Sequence, residues 1–209
     1  MIKAVIFDMD GVLIDSEVEY LNRFFEAFDK HGIEYDPNDI KAIVGSSIER
    51  AKSILEKVGK GVYSAEYLYG LWEDTLKDDP IDYRKIRVAH SVEIMEHLKK
   101  HGYKIGLASA TEKEHIISHM NDCELLTYFD AITSGHECEN SKPDPEVYLK
   151  TMNALGVTGE ECLVVEDSTY GLEAAKRAGA KYVLGRKVDA FTIDQSQADE
   201  LINDLLDIV

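Results

Sequence analysis

Several things are scarce in this chain of 209 residues, and each scarcity excludes something. No apolar run reaches the roughly 18 residues of a transmembrane helix, so none is expected. The opening residues lack a basic segment followed by an apolar stretch and a small-residue cleavage site, so no secretory signal is expected either. The cysteines are Cys123, Cys138 and Cys162: an odd number, scattered, with no Cys-x-x-Cys. That argues against a disulfide framework or a zinc site and fits a reducing cytoplasm. There is no internal repeat and no low-complexity segment. Positive charge is short: 23 Lys and Arg stand against 40 Asp and Glu, for a net charge of −17. A surface that acidic repels nucleic acid and anionic membranes, so neither is an expected partner. An anionic substrate would need a site made locally positive by a metal ion, a lysine or helix N-termini.

What is present is an apolar run that stops at two carboxylates: Ala4, Val5, Ile6, Phe7, Asp8, Met9, Asp10, Gly11. A buried strand ending so places charge at the carboxyl edge of a sheet, where open α/β sheets bind ligands. Alternate strand residues share a face, so Asp8 and Asp10 would point the same way, and Gly11 permits a sharp turn. One carboxylate could attack and the other move protons, if a cation offsets their repulsion.

Four more β-rich runs follow, at residues 104–108, 131–133, 162–165 and 182–184, with helical patterns at 91–101, 114–120, 145–155 and 171–178. Strands alternating with helices predict a parallel sheet. Residues 15 to about 80 offer no comparable strand but four helical patterns, at 17–31, 37–44, 47–58 and 64–77. The reading is an α/β, Rossmann-like parallel sheet flanked by helices (residues 1–15 and 81–209) with an all-α cap inserted (16–80).

Three later strand ends carry chemistry. The run at 104–108 delivers Ser109, Ala110 and Thr111, hydroxyls and amides that suit a phosphate and equally suit helix capping. Ser141, Lys142, Pro143, Asp144 and Pro145 hold a lysine on a stiffened turn, though a lysine before a helix is commonly just solvated. Leu163, Val164 and Val165 end in Glu166, Asp167 and Ser168, hard oxygen ligands of the kind Mg²⁺ prefers or simply the acids and cap of a helix start.

Together these segments resemble the four signature motifs of the haloacid dehalogenase superfamily: DMDGVLIDSE, LASAT, SKPDPEVY and VVEDSTYGLEAAKRAG, in order along the whole chain. The helical insert resembles the small cap of the subgroup that contains β-phosphoglucomutase and many sugar-phosphate phosphatases. The resemblance implies that Asp8 is the nucleophile and forms an aspartyl-phosphate. Asp10 would protonate the leaving oxygen, then activate water, and bind Mg²⁺ through its carbonyl. Asp8 and Asp167 would be metal ligands with Glu166 as an outer partner, and Ser109, Ala110 and Lys142 would hold the phosphoryl group. Bringing a carboxylate to a phosphate costs about 4 kcal/mol per charge pair at roughly 4 Å and an effective dielectric of about 20, so Lys142 and Mg²⁺ must cancel it.

An acid at the second aspartate position suits transfer from an ester oxygen, since dehalogenases lack it, phosphonate-cleaving members carry a small residue and ion-pumping ATPases a threonine. The expected function is therefore a Mg²⁺-dependent phosphatase acting on a small sugar or polyol phosphate, as a monomer. A β-phosphoglucomutase-type mutase is the alternative, and a catalytically silent binding protein the third reading. Mutases of this type carry a cap histidine and an arginine in a Gly-x-Ser-Arg turn; here Tyr20 and Ile48 stand at those places. The cap is expected to close as a lid, with hinges near residues 15–16 and 79–80. The pairs His97/His101 and His115/His119 are expected on polar helix faces, Tyr63, Tyr67, Tyr69 and Trp72 in the cap core, and His90 stands where many relatives have Pro-Gly.

Overall fold

The computed structural model describes residues 1–43, 48–190 and 192–209, the side chains of Ile48 and Glu49 excepted. The chain divides into two compact units, one of Met1–Asp15 with Tyr83–Val209 and the other of Ser16–Asp82.

The first unit is built on a six-stranded sheet in the order β3-β2-β1-β4-β5-β6, every pairing parallel. The strands are β1 (Ala4–Phe7), β2 (Lys104–Ser109), β3 (Ala131–Ser134), β4 (Cys162–Glu166), β5 (Tyr182–Arg186) and β6 (Glu200–Ile202). All four β1 residues are buried, as expected of a strand covered on both faces. Val5 and Phe7 face a layer with Ile94, Met95, Ile116 and Met120, while Ala4 and Ile6 face Tyr148, Met152 and Leu172. These partners lie on helices Ser91–Lys100, Lys113–Asp122, Glu146–Leu155 and Thr169–Arg177, labelled α5 to α8 because four helices of the other unit precede them.

Register fixes where the chemistry emerges. Phe7 pairs with Leu107 on one side and Val165 on the other. The next residues, Asp8, Ala108 and Glu166, therefore come out side by side at the carboxyl edge. All five expected strands are present. The sixth was not anticipated: Glu200, Leu201 and Ile202 make a strand of three residues with only Ile202 buried, too short to show a period.

The second unit is all helical: α1 (Ser16–Lys30), α2 (Pro37–Lys41), α3 (Ile48–Gly59) and α4 (Ala65–Asp78). Helix α2 ends sooner than its pattern suggested, with Ala42 as its C-cap. The expected continuation to Val44 and the expected start of α3 at Ser47 lie outside the described residues. Ser64 caps α4, accepting from Tyr67 N at 3.2 Å. Trp72 stacks on Phe24 (5.1 Å between centroids), meets Tyr20 edge-on and touches Tyr69, and its Nε1 donates to the Tyr20 carbonyl at 3.1 Å. The tyrosine-rich stretch thus splits: Tyr69 and Trp72 belong to the helical core, whereas Tyr63 and Tyr67 stack on each other at the surface, 36% and 48% exposed.

Among the described residues no helix is long and apolar enough to cross a membrane. His90, with φ of 60°, precedes α5, and its Nδ1 lies 2.6 Å from Asp204 Oδ2. That contact fastens the start of α5 to the C-terminal turn Leu205–Ile208.

Candidate active site

The loop after β1 is held tightly. Asp8 N donates to the Val165 carbonyl at 3.0 Å, and Gly11 N and Leu13 N close the turn onto Ile14 and Met9. Gly11 has φ of +72°, and a Cβ there would overlap the Asp167 carboxylate, so only glycine fits. Arg186, at the end of β5, donates to the Gly11 carbonyl at 2.6 Å and to Asp15 Oδ1 at 2.8 Å.

Lys142 is not a solvated lysine. Its side chain is 11% exposed, and its Nζ donates to Asp8 Oδ1 at 2.7 Å, Glu166 Oε1 at 2.6 Å and the Ala108 carbonyl at 3.2 Å. Glu166 Oε2 accepts from the amides of Asp167 and Ser168 and from Ser168 Oγ. Its Oε1 also accepts from Tyr148 Oη at 2.9 Å. Ser168 does two things at once, since its Oγ also caps α8 by accepting from Gly171 N at 3.0 Å. Asp8, Glu166 and Asp167 are all buried and each brings a carboxylate oxygen within 4.8 Å of the others.

Asp10 stands slightly apart from that cluster. Thr111 Oγ1 donates to its Oδ2 at 3.0 Å, and Thr111 N donates to Ser109 Oγ at 3.1 Å. Neither Ser109 nor Thr111 caps α6; Glu112 holds that position without a side-chain cap. Ser109, Ala110, Ser141 and Lys142 share the wall of one cleft of about 260 Å³ with Gly135, His136, Cys138 and Asn140.

The electrostatics follow from the Lys142 ammonium serving two carboxylates. Burial pushes the Asp8 carboxyl up to about 8; Lys142 opposes this, while Glu166 and Asp10 add to it. Burial alone would lower the Lys142 ammonium, but Asp8 and Glu166 raise it well above the usual lysine range. Glu166 is also penalised by burial, yet Lys142 and its other donors hold it below the usual range. The charge deficit therefore falls on Asp8.

All the residues expected to carry chemistry thus lie in one unit at one sheet edge. Thr111, Tyr148 and Arg186 were not singled out for these contacts. Tyr148 sits in the apolar stripe of α7 and reads as core. Arg186 left a usable signal, a cation at a strand's carboxyl end. The histidine pairs differ from expectation at His119, which is half-buried and stacks on Tyr83 at 3.6 Å rather than lying on a polar face.

Comparison with known proteins agrees with this construction. Residues 5–184 match the family model of haloacid dehalogenase-like hydrolases. A phosphorylated carbohydrates phosphatase of Thermotoga maritima is 32% identical over 193 residues, covering 88% of this chain and 84% of that protein. A phosphoglycolate phosphatase of Aquifex aeolicus is 31% identical over 183 residues, covering 87% and 84%. Among solved structures, a Thermotoga maritima protein provisionally named a β-phosphoglucomutase superposes with a TM-score of 0.78 at 28% identity, covering 96% of this chain and 94% of that one. With the matched model spanning β1 to β5 and the carboxylates converging at the edge those strands share, the chain belongs to the haloacid dehalogenase-like hydrolases.

Proposed function

We propose that this protein is a phosphatase that hydrolyses a small phosphate monoester, a sugar or polyol phosphate, through a phosphoryl group carried on Asp8. The observation that supports this most is the sharing of Lys142 Nζ between Asp8 and Glu166 at 2.7 and 2.6 Å. It joins the Asp8 carboxylate to a cation that lines the same cleft as Ser109.

In the proposed reaction an Asp8 oxygen attacks phosphorus and the bond to the ester oxygen breaks. Asp10 gives its proton to that oxygen as the alcohol leaves. Asp10, now a carboxylate, takes a proton from water as the water oxygen attacks phosphorus, and phosphate departs with Asp8 restored. Thr111 orients Asp10 by holding one of its oxygens, and Lys142, Ser109 and the Ala110 amide hold the phosphoryl oxygens, so most of the catalysis is positioning and electrostatics.

A hard divalent cation fits the donor set, because Asp8, Glu166 and Asp167 are buried and each brings a carboxylate oxygen within 4.8 Å of the others. Asp8, Asp167 and the Asp10 carbonyl would hold it. Glu166 is an outer partner, since both its oxygens already accept from five donors. Bound there, Mg²⁺ neutralises charge on the carboxylates and on the phosphoryl oxygens.

Hydrolysis is preferred to mutase chemistry because Tyr20, at the histidine position, packs against Trp72 inside the helical unit. The turn of Gly45, Ser46 and Ser47, and the Ile48 side chain, lie outside the described residues. We assign the lid and the choice of substrate to the unit Ser16–Asp82, and a reducing cytoplasm to a chain whose three cysteines form no disulfide.

The test is a panel of sugar and polyol phosphates with Mg²⁺, including β-glucose 1-phosphate with a trace of glucose 1,6-bisphosphate. Free phosphate should equal substrate lost, vanish with EDTA and return with Mg²⁺. Glucose 6-phosphate formed with almost no free phosphate would select the mutase instead. The Mg²⁺ requirement should also fall as pH rises toward 8. Below about 8 the metal-free Asp8 carboxyl holds a proton that Mg²⁺ must displace, and above it none. A requirement independent of pH between 6 and 9 would remove Asp8 from the ligand set.

A further inference from the structure

Two donors converge on one oxygen of Glu166. Lys142 Nζ is 2.6 Å and Tyr148 Oη 2.9 Å from Oε1, and the same Tyr148 ring lies against the ammonium, with Nζ 4.9 Å from its centroid. Both ends of this contact are shut off from water: Tyr148 is 0% exposed and Glu166 1%. The backbone of Gly171 also packs directly against the carboxylate, since a Cβ there would overlap it. Glu166 is thus the rival of Asp8 for the Lys142 ammonium, and nothing but protein donors can moderate it.

We infer that Tyr148 is a positioning residue for Lys142. Its hydroxyl takes up part of the Glu166 charge and its ring face supports the ammonium, so that Lys142 stays shared with Asp8 instead of being drawn onto Glu166. This rests on the reading of Lys142 as a holder of the phosphoryl group.

An O–H bond to an ionised, buried oxygen is strong. Its loss leaves Lys142, among the described residues, as the sole donor to Oε1, in surroundings where the pair then tightens. Diverting Lys142 to a phosphoryl oxygen becomes harder. That contact is made in the bound substrate and in the transition state alike, so the loss falls on binding and not on the chemical step.

Tyr148→Phe keeps the ring and deletes only the hydroxyl. It should raise KM for a phosphate monoester and the dissociation constant of inorganic phosphate together, by about tenfold, with kcat changed less than about twofold. Phosphate binding, read by calorimetry with Mg²⁺, needs no turnover, so it can be repeated in a Glu166→Gln background. There Tyr148→Phe should change affinity less than about twofold, because the charge it moderates is gone. Unchanged KM and phosphate affinity, a loss confined to kcat, or an equal loss in both backgrounds (the signature of a packing defect) overturns the inference. Should Tyr148→Phe fail to fold, a fluorinated tyrosine at position 148, a stronger donor, must bind phosphate at least as tightly as wild type; weaker binding overturns it. A wild-type protein that releases phosphate from no monoester defeats the proposed function. An active wild type with an indifferent Tyr148→Phe defeats only the role of Tyr148.

Discussion

Asp8→Asn should lower phosphate release by at least about a thousandfold and, without metal, melt at a higher temperature than wild type. The first effect follows from chemistry, since an amide cannot attack phosphorus. The second follows from burial. The Asp8 carboxyl has a folded pKa of about 8 against an ordinary 3.8. Between those values the folded protein holds a proton that the unfolded chain has released, so stability drains away as pH rises through that window. Asparagine carries no titrating group, and Lys142 keeps Glu166 as its partner. Thermal melts in EDTA at pH 5 and pH 8 should therefore diverge for wild type and nearly coincide for Asp8→Asn. A lower melting temperature for the variant at pH 8 would show that Lys142 and the other donors around Asp8 compensate its buried charge in full, contrary to this expectation.

The second large effect is at Lys142. Lys142→Met deletes an ammonium that Asp8 and Glu166 share, both of them buried. Breaking a buried ion pair from one side costs about 3–5 kcal/mol, because the remaining charge is stranded. The value of kcat/KM should fall by on the order of a hundredfold or more, chiefly through a raised KM, because a contact made in bound substrate and transition state alike is lost. Lys142→Arg should not restore it: a planar guanidinium cannot reproduce the compact set of contacts to Asp8, Glu166 and the Ala108 carbonyl. Urea melts and steady-state rates check both parts. A Lys142→Met variant of wild-type stability would mean the carboxylates are not forced to rely on it.

Much of this arrangement can be read from the chain, and the remainder is hidden for identifiable reasons. Asp8 and the pair Glu166 and Asp167 announce themselves because an apolar run stops dead at each, and the helical patterns of residues 16–80 mark the second unit because no strand interrupts them. Lys142 is visible as a lysine just before two prolines, but its destination is not. That depends on β2, β1 and β4 lying side by side, an order no local pattern encodes. Tyr148 hides because its α7 position is a core position, and only the packing of α7 on the sheet brings its hydroxyl to Glu166. Thr111 is visible only as a small hydroxyl after a strand, suited to a phosphate or to capping, and the fold carries it to Asp10. The strand Glu200–Ile202 is too short, and too exposed at Glu200 and Leu201, to leave a periodic trace.

The central claim is that the phosphoryl group passes through Asp8, and borohydride reduction of a trapped enzyme tests it most directly. Asp10→Asn retains the nucleophile but lacks the base that activates water. An aryl phosphate, whose leaving group needs no proton, should therefore load the protein with an acyl phosphate that borohydride reduces to an alcohol. Peptide mass spectrometry should then find homoserine at position 8, only when substrate and Mg²⁺ were present. Release of one equivalent of leaving group with Asp8 unmodified would contradict the assignment and place the nucleophile elsewhere.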